Sequence, residues 1–451
     1  MTVPFTTDPQ ARLQERERVL GTFLDDHAEK LGRASHAMAR AFGRGGTLIA
    51  GGTGSAATDA AHVAVEFLHP VIVGKRALPA LAPSNDPTGS TQRAGAIRAG
   101  DIAMSITHGP LDDAGSAFLA AAARQGGLTI ALTGTGGPPP PADHLFTVPS
   151  RDPHLIQEVQ EFAYHVLWEL VHTFFEHPGL IEDACITCGD IALPGRVVAV
   201  EGATATVDFD GLREEVAAEL VEGVAVGDLL LCHAGVALER LEPEAAPEDP
   251  TAFLYPFLQR SERDVDVVLR DALASTLQKG EEVLRLQHGL DIPAIDGCAR
   301  AIRKRLVTGG RVLTLGNGGS CTDAQDLASD LLDRGWPATA LVNDVSTVTA
   351  LANDVGFENV FSRQVVAFGR NRDVVIAFST SGSSQNVVSA LAAAHRLGML
   401  TCAIVGHDGG LIGTLPWIDQ LLHVHSEYVP RVQEAQATMY HLILEAIGTP
   451  T

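Results

Sequence analysis

Positive charge is scarce in this 451-residue chain: 32 Lys and Arg stand against 55 Asp and Glu, a formal net charge of −23. A surface of that sign repels phosphate backbones and offers no basic stripe for counterion release, so nucleic acid and anionic membrane are excluded as expected partners. Long apolar runs are also missing. None reaches the roughly 18 residues of a membrane span, and Met1 to Arg18 is polar and charged rather than a signal region, so a cytoplasmic location is expected. Cysteine is sparse as well. The chain has six, too few for a disulfide scaffold, and only Cys185 and Cys188 lie close together, so thiol chemistry is expected there if anywhere.

What the chain has is length enough for two or three cores and an internal repeat. Thr47 to Ser55 (TLIAGGTGS) matches Val312 to Ser320 (VLTLGNGGS), Leu128 to Gly134 matches Leu400 to Gly406, and Leu155 to Glu158 (LIQE) matches Arg431 to Glu434 (RVQE), in the same order. Short apolar strands alternate with Ala-rich helical stretches such as Val387 to Leu397, the pattern of a parallel sheet covered by helices on both faces. The expected organisation is an α/β domain over 1–183, a small β-barrel over 184–243, a linker rich in Pro, Ala and Glu over 244–261, and a second α/β domain over 262–451. The barrel is expected because Val197–Val200, Thr204–Phe209, Glu214–Val216 and Asp228–His233 read as short strands between Gly-containing turns with no helical period.

Two hydroxyl-rich turns in the C-terminal part follow strands and open helices: Gly316-Asn317-Gly318-Gly319-Ser320 and Ser379-Thr380-Ser381-Gly382-Ser383-Ser384. Hydroxyls and free backbone N–H groups at a helix N-terminus make an anion site, and a phosphate monoester fits it. Either turn alone reads equally well as a capped turn; two in one domain favour phosphate. With Ala352-Asn353-Asp354, Gly356-Phe357, Asn359 to Arg363, Asp408-Gly409-Gly410 and Arg431 to Glu434, these segments resemble the phosphoheptose isomerase family of SIS domains. That resemblance implies flavodoxin-like sheets, a bound sugar phosphate held by Asn317, Ser320, Ser379, Thr380, Ser381 and Ser384 with Asp354 as a further substrate contact, and sites at subunit contacts in a homotetramer. It also implies aldose–ketose isomerisation of sedoheptulose 7-phosphate, which needs one base and one acid.

The family carries His and Glu four apart and Gln and His eight apart, a set that can hold a divalent metal. In the N-terminal part these are His62, Glu66, Gln157 and His165, a set that suits Zn2+, and the resemblance makes Glu66 the base and His165 the acid. The C-terminal part keeps Gln433 and His441 but has Asp326 and Asp330 at the other two positions, so Asp330 and His441 are its catalytic candidates. The N-terminal part has lost the phosphate loop, which reads Thr107-His108-Gly109-Pro110-Leu111-Asp112-Asp113, and Asn85-Asp86-Pro87 replaces a longer family stretch. One copy keeps the acid–base set and the other the phosphate loops, as expected if the two pack as a pseudo-dimer with a composite site.

Between them, the run from Cys185 through Leu193-Pro194-Gly195 and the stretch Gly227 to Leu238 resemble the HypC/HupF chaperones of [NiFe]-hydrogenase maturation. The resemblance implies transient iron on a thiolate. Asp190 stands where the family has its Cys, which leaves Cys185, Cys188 and His233 as candidates, while Cys232 reads as a buried small hydrophobe. The reading favoured by the sequence is an accessory factor in hydrogenase maturation that binds a sugar phosphate. The alternatives are an active phosphoheptose isomerase with the barrel as docking module, or a non-catalytic sugar-phosphate-sensing scaffold.

Overall fold

A computed structural model describes residues 9–70, 75–83, 95, 97–177, 180–181, 193–202, 204–209, 212–218, 221, 223–233, 236–241 and 265–450. The N-terminal half runs α1 (Pro9–Gly43), β1 (Leu48–Gly52), α2 (Ala56–Leu68), β2 (Ala80–Leu81), β3 (Ile102–Ile106), α3 (Asp113–Arg124), β4 (Leu128–Gly134), β5 (His144–Val148) and α4 (Pro153–Phe175). Its five strands pair in parallel in the order β2-β1-β3-β4-β5. Strands β1 and β3 are buried at every residue, as a sheet covered on both faces requires.

Five strands follow, β6 (Leu193–Glu201), β7 (Thr204–Phe209), β8 (Leu212–Ala217), β9 (Leu229–His233) and β10 (Val236–Leu241), and close into a barrel in the order β10-β8-β7-β6-β9. The expected barrel is present, with β10 as an additional strand. Its small core is built from Val197, Ala205, Val207, Val216, Leu230, Cys232 and Ala237.

The C-terminal half repeats the first: α5 (Val265–His288), α6 (Ile292–Leu306), β11 (Val312–Leu315), α7 (Gly319–Asp333), β12 (Ala338–Ala340), α8 (Val345–Val355), α9 (Val360–Phe368), β13 (Val374–Ser379), α10 (Gln385–Arg396), β14 (Leu400–Val405), α11 (Gly410–Gly413), β15 (Gln420–His423) and α12 (Val429–Ile447). Its parallel sheet has the order β12-β11-β13-β14-β15, so both halves share the flavodoxin-like arrangement, with a switch point between the first and third strands. Loops that leave those two strands converge there.

The halves are not packed as separate beads. Leu13 of α1 lies in the C-terminal core, and Val268, Ala272 and Val283 of α5 lie in the N-terminal core. Helix α5, at the start of the second expected α/β domain, therefore belongs to both. The close crossing depends on Gly280, where a Cβ would stand 2.5 Å from Leu24 Cδ1. Helices α2, α4, α7 and α12 meet along the contact between halves, and the site lies there.

Candidate active site

Helices α4 and α12 start alike, with a proline in the first turn, and carry the same buried pattern: Gln157, Glu158 and His165 on one, Gln433, Glu434 and His441 on the other. Each Gln–Glu pair serves the opposite half. Gln433 Nε2 lies 3.1 Å from His62 Nε2, whereas Gln157 Nε2 donates to Asp326 Oδ2 at 2.8 Å. Likewise His165 Nδ1 meets Glu434 Oε1 at 2.9 Å, and His441 Nδ1 meets Glu158 Oε1 at 2.8 Å. The repeat thus builds two related sites: one of His62, Glu66, His165 and Gln433, the other of Asp326, Asp330, His441 and Gln157. The sequence expectation placed Gln157 with His62, Glu66 and His165. The crossing of α4 and α12 puts Gln433 there instead.

In the first site every side chain is buried. His62 Nδ1 is 3.1 Å from the Tyr164 hydroxyl, which turns Nε2 toward Glu66 Oε1 at 3.7 Å. Burial opposes the charge on both partners, but their mutual attraction wins, raising the His62 pKa and lowering that of Glu66. Burial and the neighbouring His62 push His165 down to about 3, so it is neutral at physiological pH. Arg431 Nη2 lies 2.8 Å from the same Glu434 oxygen that faces His165, which makes that oxygen an acceptor. His165 Nδ1 accordingly carries the ring hydrogen, and Nε2 presents a lone pair.

Glu66 Oε2, His165 Nε2 and Gln433 Oε1 have no hydrogen-bond partner among the described residues. Buried polar atoms are rarely left so. Two imidazoles, a carboxylate and an amide oxygen, with Tyr164 and Glu434 holding the outer ring nitrogens, fit the zinc-like ion that the resemblance implies.

This site touches the C-terminal half's hydroxyl-rich turns. Gly319, which opens α7, has no room for a side chain: a Cβ would run into Gln433 Nε2 and stand 2.5 Å from His62 Nε2. Asn317, two residues before it, exchanges two 2.9 Å hydrogen bonds with Asn386 of α10, tying the first turn to the second. Ser320 is buried in the first turn of α7, Ser379 ends β13, Thr380 and Ser381 follow it, and Ser384 is the N-cap residue of α10 with no side-chain cap. Gly382, at φ 62°, packs against the Gly409 carbonyl of the Asp408-Gly409-Gly410 turn. Asp354 is exposed on α8, a helix with no buried residue, where it accepts from Asn353 at 2.8 Å.

The second site lies against the N-terminal half's altered loop, which is filled by its own side chains. Asp112 caps α3, accepting from Gly115 N at 2.7 Å and from Thr53 Oγ1 at 2.6 Å, so a carboxylate stands where the other half offers free donors. His108 is held between Ser55 Oγ at 2.9 Å and Asp59 Oδ2 at 2.7 Å. Thr58 Oγ1 and Gln157 Nε2 donate to the two oxygens of Asp326. His154, Asp330 and His441 cluster with ligand atoms within 4.8 Å of one another. Arg334 Nη2, however, donates to His154 Nε2 at 3.1 Å, so Nδ1 must carry the hydrogen and cannot ligate a metal.

Two families match the chain by profile: the SIS domain over residues 280–406 and the HupF/HypC family over residues 191–253. The phosphoheptose isomerase of Geotalea daltonii is 42% identical over 161 residues, 34% of this chain and 83% of that protein. The chain belongs to the phosphoheptose isomerase family. The phosphoheptose isomerase of Desulfovibrio desulfuricans is 44% identical over 146 residues, 31% of this chain and 69% of that one. A putative phosphosugar isomerase from Silicibacter pomeroyi shares the fold over 97% of this chain and 96% of its own, with a TM-score of 0.53 at 12% identity.

Against that family background, the barrel is the insertion. Cys185, Cys188 and Asp190 lie outside the described residues, and His233 ends β9. Cys232 is buried, its thiol pushed up to about 11 by burial, so it is a neutral core residue at physiological pH. No helix among the described residues is long and apolar enough to cross a membrane. Sequence reading missed Glu158, Glu434 and Tyr164 as site residues, although the repeated QE pair was visible. It also missed Glu161, one helical turn before His165.

Proposed function

We propose that the chain carries one sugar-phosphate isomerase site, assembled between its halves, and that it interconverts aldose and ketose forms of a phosphorylated sugar of the sedoheptulose 7-phosphate kind. The observation that carries this reading is the contact of Gly319 with His62 and Gln433, which sets the hydroxyl-rich turns of one half beside the acid–base set of the other. The phosphate is bound by the N-terminus of α10 with Ser379, Thr380, Ser381 and Ser384, and by Asn317 and Ser320 of the first turn. Glu66, through its unpartnered Oε2, takes the carbon-bound proton beside the carbonyl and returns it to the neighbouring carbon. With no metal bound, His165 Nε2 passes the hydroxyl proton between the two oxygens; with one bound, that lone pair would be on the metal and the carbonyl polarised by it instead. A divalent metal held by His62, Glu66, His165 and Gln433 would polarise the carbonyl. Asp330 and His441 belong to the second site, which has no phosphate turns beside it and takes no part. The test is turnover of sedoheptulose 7-phosphate by the metal-replete chain. Turnover in the wild type, lost in the Ser379→Ala, Ser381→Ala double variant, is the expected result; an inactive wild type overturns the catalytic reading and leaves a binding scaffold.

The match to the HupF/HypC family over 191–253 favours a second role for the same chain. The barrel docks onto hydrogenase maturation proteins in the cytoplasm, and the site beside it makes or senses a sugar phosphate in that setting. Capture from an extract that contains the maturation machinery tests this. Cys188→Ala is expected to weaken iron or partner binding more than Cys232→Ala, whose thiol is buried and neutral. Equal capture by both variants and wild type removes the thiol from that role and leaves the barrel a docking or structural module.

A further inference from the structure

The repeat supplies an internal control for the residues of α4 and α12, and one buried carboxylate of α4 has no counterpart on α12. Aligning Gln157-Glu158 with Gln433-Glu434 and His165 with His441 puts Glu161 opposite Ala437. A carboxylate therefore exists beside His165 that the mirrored site lacks. It is 2% exposed, and its Oε1 has no hydrogen-bond partner among the described residues. Its side chain lies with those of His62 and His165 in a group whose ligand atoms are all within 4.8 Å of one another.

A lone carboxylate at such a place is costly. Burial opposes its charge most, and Asp323, Glu434, Asp59 and Asp326 add like charge around it. Nothing in the helix or the core requires a charged group there, because the equivalent position of α12 is the buried small residue Ala437. What Glu161 does face is the pair of imidazoles that would hold the metal, one of which presents a bare Nε2. A divalent cation shared by these three side chains would satisfy the orphaned oxygen and offset the local negative charge together.

We propose that Glu161 is a direct ligand of the metal in the composite site, joining His62, His165, Glu66 and Gln433 to make a five-donor set of two nitrogens and three oxygens. Such a set is harder than a four-donor zinc site and accommodates Mn2+ or Fe2+ as well as Zn2+. The inference rests on the composite site holding a metal at all, and the experiment separates the two claims. Apo-protein is titrated with Zn2+, Mn2+ and Co2+ against a competing chelator, using wild type, Glu161→Gln and Glu161→Ala, the last being the repeat's own choice at position 437. Thermal unfolding of the apo-proteins controls for folding.

The expected result is that Glu161→Ala weakens binding of all three metals by at least about 10-fold and Mn2+ more than Zn2+, with Glu161→Gln in between. Bound Co2+ in the Ala variant should also gain visible absorption, as its coordination falls toward tetrahedral. Equal affinities, equal metal preference and an unchanged Co2+ spectrum in folded variants overturn the proposal and leave the isomerase reading untouched. A wild type that binds none of the metals overturns it too, while turnover of the sugar phosphate still decides the isomerase reading separately.

Discussion

The site around His62 and its mirror around Asp326 are made by the same four helices, with the same crossed Gln–Glu pairs, and yet they are furnished differently. Around His62, two imidazoles and two carboxylates lie side by side with several polar atoms unpartnered, and the open hydroxyl-rich turns are next door. Around Asp326, both carboxylate oxygens are taken by Thr58 and Gln157, Arg334 caps His154, and Asp112 occupies the donors of the adjoining loop. Asp330 Oδ2 and His441 Nε2 are left without a hydrogen-bond partner among the described residues there as well, so what separates the mirror is the closure of Asp326, His154 and the adjoining loop by their own neighbours. Duplication within one chain allows this division, because a contact between identical subunits must build both sites alike.

The second site keeps a structural task. Glu158 orients His441 and accepts two 2.8 Å hydrogen bonds from Arg16 of α1, all three side chains buried. Burial alone would raise the Glu158 pKa, but Arg16 and His441 overcome it and hold the pKa below the ordinary carboxylate range. Helix α1 is thereby fastened over the junction between halves.

The largest effect that separates the two sites is expected from their paired acidic residues. Glu66→Gln removes the proposed base and should lower kcat for the sugar phosphate by about 10²–10⁴-fold, whereas Asp330→Asn, at the repeat-equivalent position, should leave it at the same order. Steady-state kinetics on the two variants checks this. A comparable loss in Asp330→Asn would mean that both sites turn over, and the division of labour argued here would fail.

Much of this was legible in the sequence because periodicity and repetition are local signals. Strands β1, β4, β11, β13 and β14, four strands of the barrel and the two hydroxyl-rich turns announced themselves by apolar runs and glycine-containing turns. The match of LIQE to RVQE located both crossing helices. What the sequence could not convey was the crossing itself: whether Gln157 faces His62 or Asp326 depends on how α4 packs against α12, a fact of tertiary geometry that spacing along one helix cannot encode. Glu161 escaped for a related reason. A single glutamate on a helix reads as a solvated face until the packing shows it buried against two histidines.

The smallest expected effect concerns the plug in the N-terminal loop. Asp112 caps α3 and accepts the Thr53 hydroxyl, so Asp112→Ala removes an N-cap and leaves a hydroxyl without its acceptor. Loss of an N-cap alone costs about 1 kcal/mol, and an unsatisfied partner adds a comparable amount when it cannot reach water, so a loss of about 1–2 kcal/mol in denaturant-induced unfolding is expected. The same variant sharpens the comparison between loops. If the N-terminal half has lost phosphate binding because Pro110 and His108 stand in place of hydroxyls, then removing the carboxylate restores nothing, and sugar-phosphate titration still gives one site per chain. Two sites per chain in Asp112→Ala would show that the loop is occluded rather than lost, with the carboxylate acting as an internal stand-in for the phosphate.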